Sequence, residues 1–228
     1  MPYEEDMHMG ETVQYKTPNG GNVSGYLATA TGSTKHVVVI QEWWGLNPQI
    51  CGVCDRFAAA GFNALAPDLY HGRVTTEPDE ANHLMTGLDW VGATEQDVRG
   101  AAQYLKTRGG HVAVMGFCMG GALTIIAGVK IPELDAGVCF YGIPPTEAAD
   151  PRHLHIPMQG HFANQDDWCT PQAVNALEAT LKDAKANYEL FRYDAQHGFF
   201  NEQRPEVYNA EASQQAWTRM LGFLNKHL

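Results

Sequence analysis

Apolar and polar positions along this chain alternate between a strand rhythm and a helix rhythm. Residues 11–16 and 22–28 read as two short strands around Pro18-Asn19-Gly20-Gly21, a hairpin signal. Residues 36–41 (His-Val-Val-Val-Ile-Gln) form a continuous apolar run, the pattern of a strand covered on both faces. Residues 48–60 read as a helix with Pro48 near its start and Gly61 at its end. Residues 62–66 are a second buried strand, ended by Pro67-Asp68. A helix over 94–107 carries a Thr94/Asp97 capping-box pattern. Strand 111–115, helix 118–129, and strands 136–141 and 156–162 follow. Then come a helix over 171–186 opened by Thr170-Pro171, strand 188–193 and helix 206–226. Alternation of this kind from residue 36 onward predicts a mostly parallel, doubly wound α/β sheet with helices on both faces. Active sites in such sheets lie at the carboxyl ends of the strands, so the residues just after each strand are the ones to inspect.

The 228 residues contain no repeat, low-complexity run or linker, which suits a single domain over 1–228. A formal charge of −11 disfavours nucleic acid and anionic membrane surfaces as partners, and leaves recognition of an anionic substrate to a local arginine. Residues 1–8 have neither a basic region nor an apolar core, so no export signal is read there. Five scattered cysteines fit reduced thiols in a cytoplasm, and Asn22-Val23-Ser24 is then a coincidental sequon. The apolar stretch 112–129 is broken by Gly116, Gly120, Gly121 and Gly128 and is short for a bilayer span. It reads as a strand followed by a helix.

That strand runs into Gly116-Phe117-Cys118-Met119-Gly120-Gly121, a nucleophile elbow with Cys where Ser usually stands. The elbow holds its nucleophile in a strained backbone region, and the neighbours two residues away come close, which favours Gly at both. The following helix aims its positive end at the sulfur. The competing reading is a buried Cys beside a tight turn. His197 follows the last strand, in Gln196-His197-Gly198-Phe199, and suits a general base at neutral pH. Asp166 and Asp167 follow the penultimate strand. Adjacent carboxylates point different ways, so one of them orients the imidazole, and Asp166 is the choice. The order nucleophile, acid, histidine is that of α/β-hydrolases.

The chain here resembles the dienelactone hydrolase family, cysteine members of the α/β-hydrolase fold, over residues 10–227. The resemblance is carried by Gln41-Glu42-Trp43-Trp44-Gly45-Leu46-Asn47, Ala66-Pro67-Asp68-Leu69-Tyr70, the Cys118 elbow, Tyr141-Gly142, Gln165-Asp166-Asp167-Trp168 and His197-Gly198-Phe199. It implies that Glu42 contacts the thiol, keeping it neutral at rest and helping to deprotonate it when substrate arrives. It also implies an oxyanion hole made by the backbone N–H groups of Met119 and Trp43. The family holds a substrate carboxylate with two arginines. Arg73 lies near the place of one, while Asn201 occupies the place of the other and the nearest arginine is Arg204. Trp44, Tyr141 and Phe199 are expected, with Trp43, to wall the pocket.

Cys51-Gly52-Val53-Cys54 has a redox-like spacing but falls within a helix, and is read as two core thiols. His153-Leu154-His155 is read as a polar loop and not a metal pair, and no glycine loop has the phosphate-binding form. The expectation is a cytoplasmic, cofactor-free and metal-free hydrolase, a monomer or weak homodimer. Its small-molecule substrate is a carboxylate-bearing enol lactone, opened through a thioester. A broader carboxylesterase or thioesterase on the same fold is the nearest alternative, and a thiol-oxidation sensor or a catalytically dead binding domain lies further off.

Overall fold

The computed structural model describes residues 9–228; residues 1–8, on which the export-signal reading rests, lie outside them. β1 (Glu11–Lys16) and β2 (Asn22–Ala28) form the expected antiparallel hairpin. The turn closes through the Gly20 N–H on the Thr17 carbonyl at 2.9 Å, and Gly20 takes a φ of 86°, which a side chain would resist. The remaining strands are β3 (Lys35–Ile40), β4 (Asn63–Pro67), β5 (His111–Phe117), β6 (Ala136–Phe140), β7 (Met158–Gln165) and β8 (Tyr188–Gln196). They join one eight-stranded sheet in the order β1-β2-β4-β3-β5-β6-β7-β8. β2 meets β4 antiparallel, and every later pairing is parallel. The fold is the expected mostly parallel α/β architecture.

The unbroken apolar run of β3 has a simple cause. Val38 and Ile40 face a core built with α4 (Arg99–Lys106), α5 (Met119–Lys130) and α6 (Pro171–Asp183). Val37 and Val39 face the opposite core, built with α1 (Pro48–Ala59) and α7 (Ala210–His227). All four valine and isoleucine side chains are fully buried, each worth about 1.5–3 kcal/mol of transfer free energy. Helix starts follow the capping chemistry: Asn47 accepts from Ile50 N–H at 3.1 Å and Thr170 from Ala173 N–H at 3.2 Å. Asn209 accepts from Ala212 N–H at 3.0 Å, so α7 begins at Ala210 and not at 206.

The expected capping box at Thr94 is not formed. The helical stretch opens earlier, with α3 (Trp90–Ala93), where Asp89 accepts from Gly92 N–H at 3.0 Å. A π-helical turn over Thr94–Val98 then leads into α4, and the Thr94 hydroxyl donates back to the Trp90 carbonyl at 2.7 Å. Trp90 and Ala93 extend the apolar face of Val98, Ala101 and Leu105 by one turn, which outweighs the local capping pattern. α2 (Pro78–Gly87) was not expected. Only Ala81 and Leu84 of it are buried, too few to set up a visible period, although Pro78 followed by Asp79 and Glu80 is a helix-start signal. Among the described residues no helix is long and apolar enough to cross a membrane.

His161, on β7, lies wholly inside the sheet, bonded at Nδ1 to the Tyr193 hydroxyl (2.8 Å) and at Nε2 to Gln159 Oε1 (2.9 Å). Burial, with Arg219 nearby, pushes its pKa from 6.5 down to about 3. Between those values the unfolded chain binds a proton that the folded state refuses. The stability it contributes is therefore complete above pH 6.5 and falls by up to about 1.4 kcal/mol per unit as pH drops toward 3. Urea unfolding of His161→Asn between pH 4 and 7 should show a shallower acid limb, by close to one proton, than the unsubstituted chain. Equal slopes would refute this.

Candidate active site

Four strand ends supply the site, all on the carboxyl side of the parallel sheet as the topology requires. β5 delivers Cys118, the loop after β3 delivers Glu42 to Trp44, β7 leads to Asp166 and β8 to His197. Cys118 has φ 56° and ψ −118°, the strained conformation expected of an elbow. It is held by its N–H on the Phe140 carbonyl (3.0 Å) and by Ala122 N–H on its own carbonyl (3.1 Å). A Cβ on Gly116 would collide with the Gly120 carbonyl, and one on Gly120 would lie 2.5 Å from the carbonyl oxygens of Ile40 and Gln41. Both glycines are thus demanded by close backbone packing.

The backbone N–H groups of Met119 and Trp43 both hydrogen-bond the Cys118 sulfur and favour its thiolate. Burial, followed by the Glu42 charge, outweighs them and lifts the thiol well above its ordinary pKa, so the resting group is a neutral thiol. The other thiols, at Cys51, Cys54, Cys139 and Cys169, are also pushed up, chiefly by burial, Cys51 to about 11. A peroxide sensor needs a thiolate, so this disfavours the sensing alternative.

Glu42 is buried. Tyr141 donates its hydroxyl to Oε1 at 3.3 Å, and Asn201 donates Nδ2 to Oε2 at 2.8 Å. The Asn201 carbonyl oxygen is occupied by Gln203 N–H at 3.0 Å, which fixes the amide with its NH₂ toward Glu42. Burial raises the Glu42 pKa, opposed by the Asn201 bond, the His197 charge and the Tyr141 bond. Asn201, at a position expected to face substrate, is instead a partner of this carboxylate.

The imidazole of His197 meets Asp166: Nδ1 lies 2.7 Å from Oδ2. The other carboxylate oxygen, Oδ1, accepts from the backbone N–H of Trp168 (2.8 Å) and Cys169 (2.7 Å). Asp167 is exposed. Tyr141 and Trp168 pack edge-on to the imidazole, with ring centroids at 5.0 and 5.2 Å. A cavity of about 290 Å³ is lined by Cys118, Glu42, His197, Trp43, Trp44, Trp168, Met85 and Arg204, with Asn82 and Gly198 completing it.

Three of the expected pocket residues lie elsewhere. Tyr141 and Phe199 are fully buried and do not line the cavity. Tyr141 acts on it through Glu42 and His197, and Phe199 packs behind Tyr141 at 5.4 Å. Arg73 faces a separate surface cleft beside Tyr70 and His83, and its guanidinium pairs with Glu80 at 3.3 Å. Arg204 is the arginine in the cavity. Its NH1 lies 4.0 Å from where a Cβ on Gly198 would stand, beside His197. Its guanidinium sits 5.6 Å from the Trp44 ring centroid. Trp168, Asn82 and Met85 were not singled out from the sequence. The last two come from α2, the helix that its own pattern hides. His153 and His155 are exposed, and no group of three His, Cys, Asp or Glu that could hold a metal ion occurs among the described residues.

A model of the dienelactone hydrolase family matches residues 23–228. A protein of Aquifex aeolicus named "Putative carboxymethylenebutenolidase" is 30% identical over 231 residues, covering 96% of this chain and all of that relative. The crystal structure of a "Putative Dienelactone Hydrolase" from Klebsiella pneumoniae superposes with a TM-score of 0.82 at 26% identity, covering 95% of this chain and 98% of its own. A thermophilic esterase from Thermogutta terrifontis, with propionate bound, shares the fold with a TM-score of 0.73 at 18% identity, covering 99% and 97%.

Proposed function

The chain belongs to the dienelactone hydrolase family, and from that premise we propose that it opens a small, carboxylate-bearing enol lactone through a thioester on Cys118. Cys118 Sγ attacks the lactone carbonyl carbon while His197 Nε2 takes the thiol proton. The carbonyl oxygen becomes an oxyanion and is met by the N–H groups of Met119 and Trp43, donors each worth about 100- to 1000-fold in rate. The ring C–O bond then breaks, and the imidazolium returns its proton to the departing enolate oxygen, which tautomerises to a ketone. Water, deprotonated by His197, attacks the thioester. The C–S bond breaks, the thiol is restored, and an oxo acid leaves. Asp166 holds the imidazole throughout, and Glu42 keeps the resting thiol neutral. Arg204, not Arg73, is the cation placed to read the substrate carboxylate.

The observation that carries this reading is the 2.7 Å Asp166–His197 bond in a cavity shared with a sulfur that two backbone N–H groups address. The test is turnover of a dienelactone with intact-protein mass spectrometry on rapidly quenched samples. A transient mass gain equal to the lactone, mapped to Cys118, is expected. Turnover without any adduct on Cys118 would sink the reading.

A broader esterase on the same machinery is favoured by one observation: among the described residues Arg204 is the one arginine or lysine lining a cavity that also presents Trp43, Trp44, Trp168 and Met85. The Thermogutta relative named as an esterase points the same way. A kcat/KM for p-nitrophenyl acetate equal to or above that for dienelactone would select this second reading.

Glu42 gives a coupled prediction. Its raised pKa means the folded state holds a proton that the unfolded chain releases above about pH 4.5, so its burial costs stability as pH rises from there. Glu42→Gln keeps the volume and removes the charge. It should lower kcat/KM by about 10- to 100-fold, yet raise Tm, with a gain that grows as pH rises above 4.5. A Tm difference that does not change with pH would refute the assignment.

A further inference from the structure

Beside the catalytic cavity lies a second one of about 330 Å³, and the two share only Trp44 and Arg204 as walls. Their chemistry differs. Beyond its reacting groups the catalytic cavity presents three indoles and Met85, whereas the second is lined by Asn47, Thr75, Thr76, Asn201 and Gln203. The Asn47 and Thr75 oxygens are taken by Ile50 and Glu77 N–H and the Asn201 amide by Glu42 and Gln203, which leaves the Asn47 NH₂, the Thr76 hydroxyl and the Gln203 amide to meet a ligand. The charges at the second cavity, Arg204 and Glu206, are already bonded to each other at 2.7 Å. An anion entering there would face Glu206 and a cation would face Arg204, so a neutral hydrogen-bonding group fits best.

The two shared walls are unequal. Trp44 is fixed: its ring packs edge-on to Trp43 at 4.9 Å, and its carbonyl accepts from Thr75 N–H at 3.0 Å. The Arg204 backbone is fixed through its N–H on the Asn201 carbonyl at 3.0 Å, while its side chain is held only by surface contacts: Nε donates to Glu206 Oε1 at 2.8 Å and the guanidinium lies 5.6 Å from the Trp44 ring centroid. The Arg204 side chain is one-third exposed and tied to a more exposed glutamate, a pair that favours this position by no more than about fivefold. A long side chain so lightly held can leave the partition at little cost.

We propose that the Arg204 side chain is a movable partition that sets the size limit of the substrate, and that the cavity behind it accepts the neutral, hydrogen-bonding tail of a larger ester. This rests on the ester-cleaving reading above and extends it. Its content is steric, and it is separable from any reading of charge by Arg204.

The experiment uses three neutral p-nitrophenyl esters: the acetate, the decanoate, and the methoxyethoxyethoxyacetate, whose acyl chain matches the decanoyl chain in atom count but carries ether oxygens. Two variants are compared with the unsubstituted protein. Arg204→Ala removes both wall and charge, while Arg204→Met removes the charge and keeps the wall. In Arg204→Ala the kcat/KM of the ether-tailed ester, taken relative to acetate, should rise about three- to fivefold, and the decanoate should rise less. In Arg204→Met that ratio should stay within about twofold of the unsubstituted value. A gain of this kind cannot come from misfolding. No rise in Arg204→Ala, an equal rise in Arg204→Met, or a larger rise for decanoate overturns the proposal. Retention of acetate cleavage by Cys118→Ala would instead defeat the thioester reading and leave the partition result standing.

Discussion

Cys118→Ala should lower kcat toward any lactone or ester by about 10⁴-fold or more, with the fold intact. Every covalent step in the proposed cycle uses this sulfur, and no other thiol lines the cavity. What survives the substitution is the cavity, the two N–H donors and His197, which can only assist direct attack by water. The substitution also isolates chemistry from structure. Alanine accepts the same backbone path as cysteine, including its strain of about 1–3 kcal/mol. The ties that enforce that path, on the Phe140 carbonyl and from Ala122 N–H, are backbone bonds and remain. Circular dichroism and Tm should therefore stay close to those of the unsubstituted protein while turnover vanishes. Cys118→Ser should retain more activity than alanine, because the hydroxyl can still attack, but far less than cysteine, since no carboxylate-gated thiolate can form. A Cys118→Ala protein with more than about 1% of the original rate would remove the nucleophile from the account.

What the sequence made legible divides along a physical line. The elbow was readable because Gly116 and Gly120 answer to backbone collisions two residues from Cys118, a constraint local in sequence. The strand end bearing Glu42 was readable because the continuous apolar run 36–41 marks a strand buried on both sides, whereas β7 and β8, which lead to Asp166 and His197, carry polar residues such as Gln159, Glu189 and Arg192 and were marked by their place in the strand–helix alternation. Side-chain direction out of a loop was not readable. Arg73 and Arg204 are both arginines near the site in sequence, but only Arg204 turns into the cavity, and Arg73 turns toward Glu80 on a helix the pattern did not reveal. Depth was hidden for the same reason. Tyr141 and Phe199 sit beside site residues, yet the imidazole and Glu42 stand between Tyr141 and the cavity. Asn201 became intelligible only once its amide was seen oriented by Gln203 and aimed at a carboxylate 159 positions away in the chain.

Asp166→Asn should lower kcat by about 10³- to 10⁴-fold, whereas Asp167→Asn should change it by less than about twofold. The contrast follows from where the two oxygens of Asp166 go. Oδ1 accepts from Trp168 and Cys169 N–H, at 2.8 and 2.7 Å, and Oδ2 accepts from His197 Nδ1 at 2.7 Å. A carboxylate in this setting keeps the ring proton on Nδ1 and leaves Nε2 with a free lone pair for the thiol proton. In the asparagine variant the side-chain oxygen must stay with the two backbone N–H groups, since an NH₂ there would face two donors. The NH₂ is then directed at His197 Nδ1, which becomes an acceptor, and the ring proton moves to Nε2. The imidazole keeps its place between Tyr141 and Trp168 but presents N–H to the thiol and cannot act as a base. Nitrogen-15 NMR of labelled histidine should therefore report an exchange of tautomer in Asp166→Asn and none in Asp167→Asn. Unaltered turnover in Asp166→Asn, or a lost rate without the tautomer exchange, would mean that Asp166 supports the loop and does not serve His197.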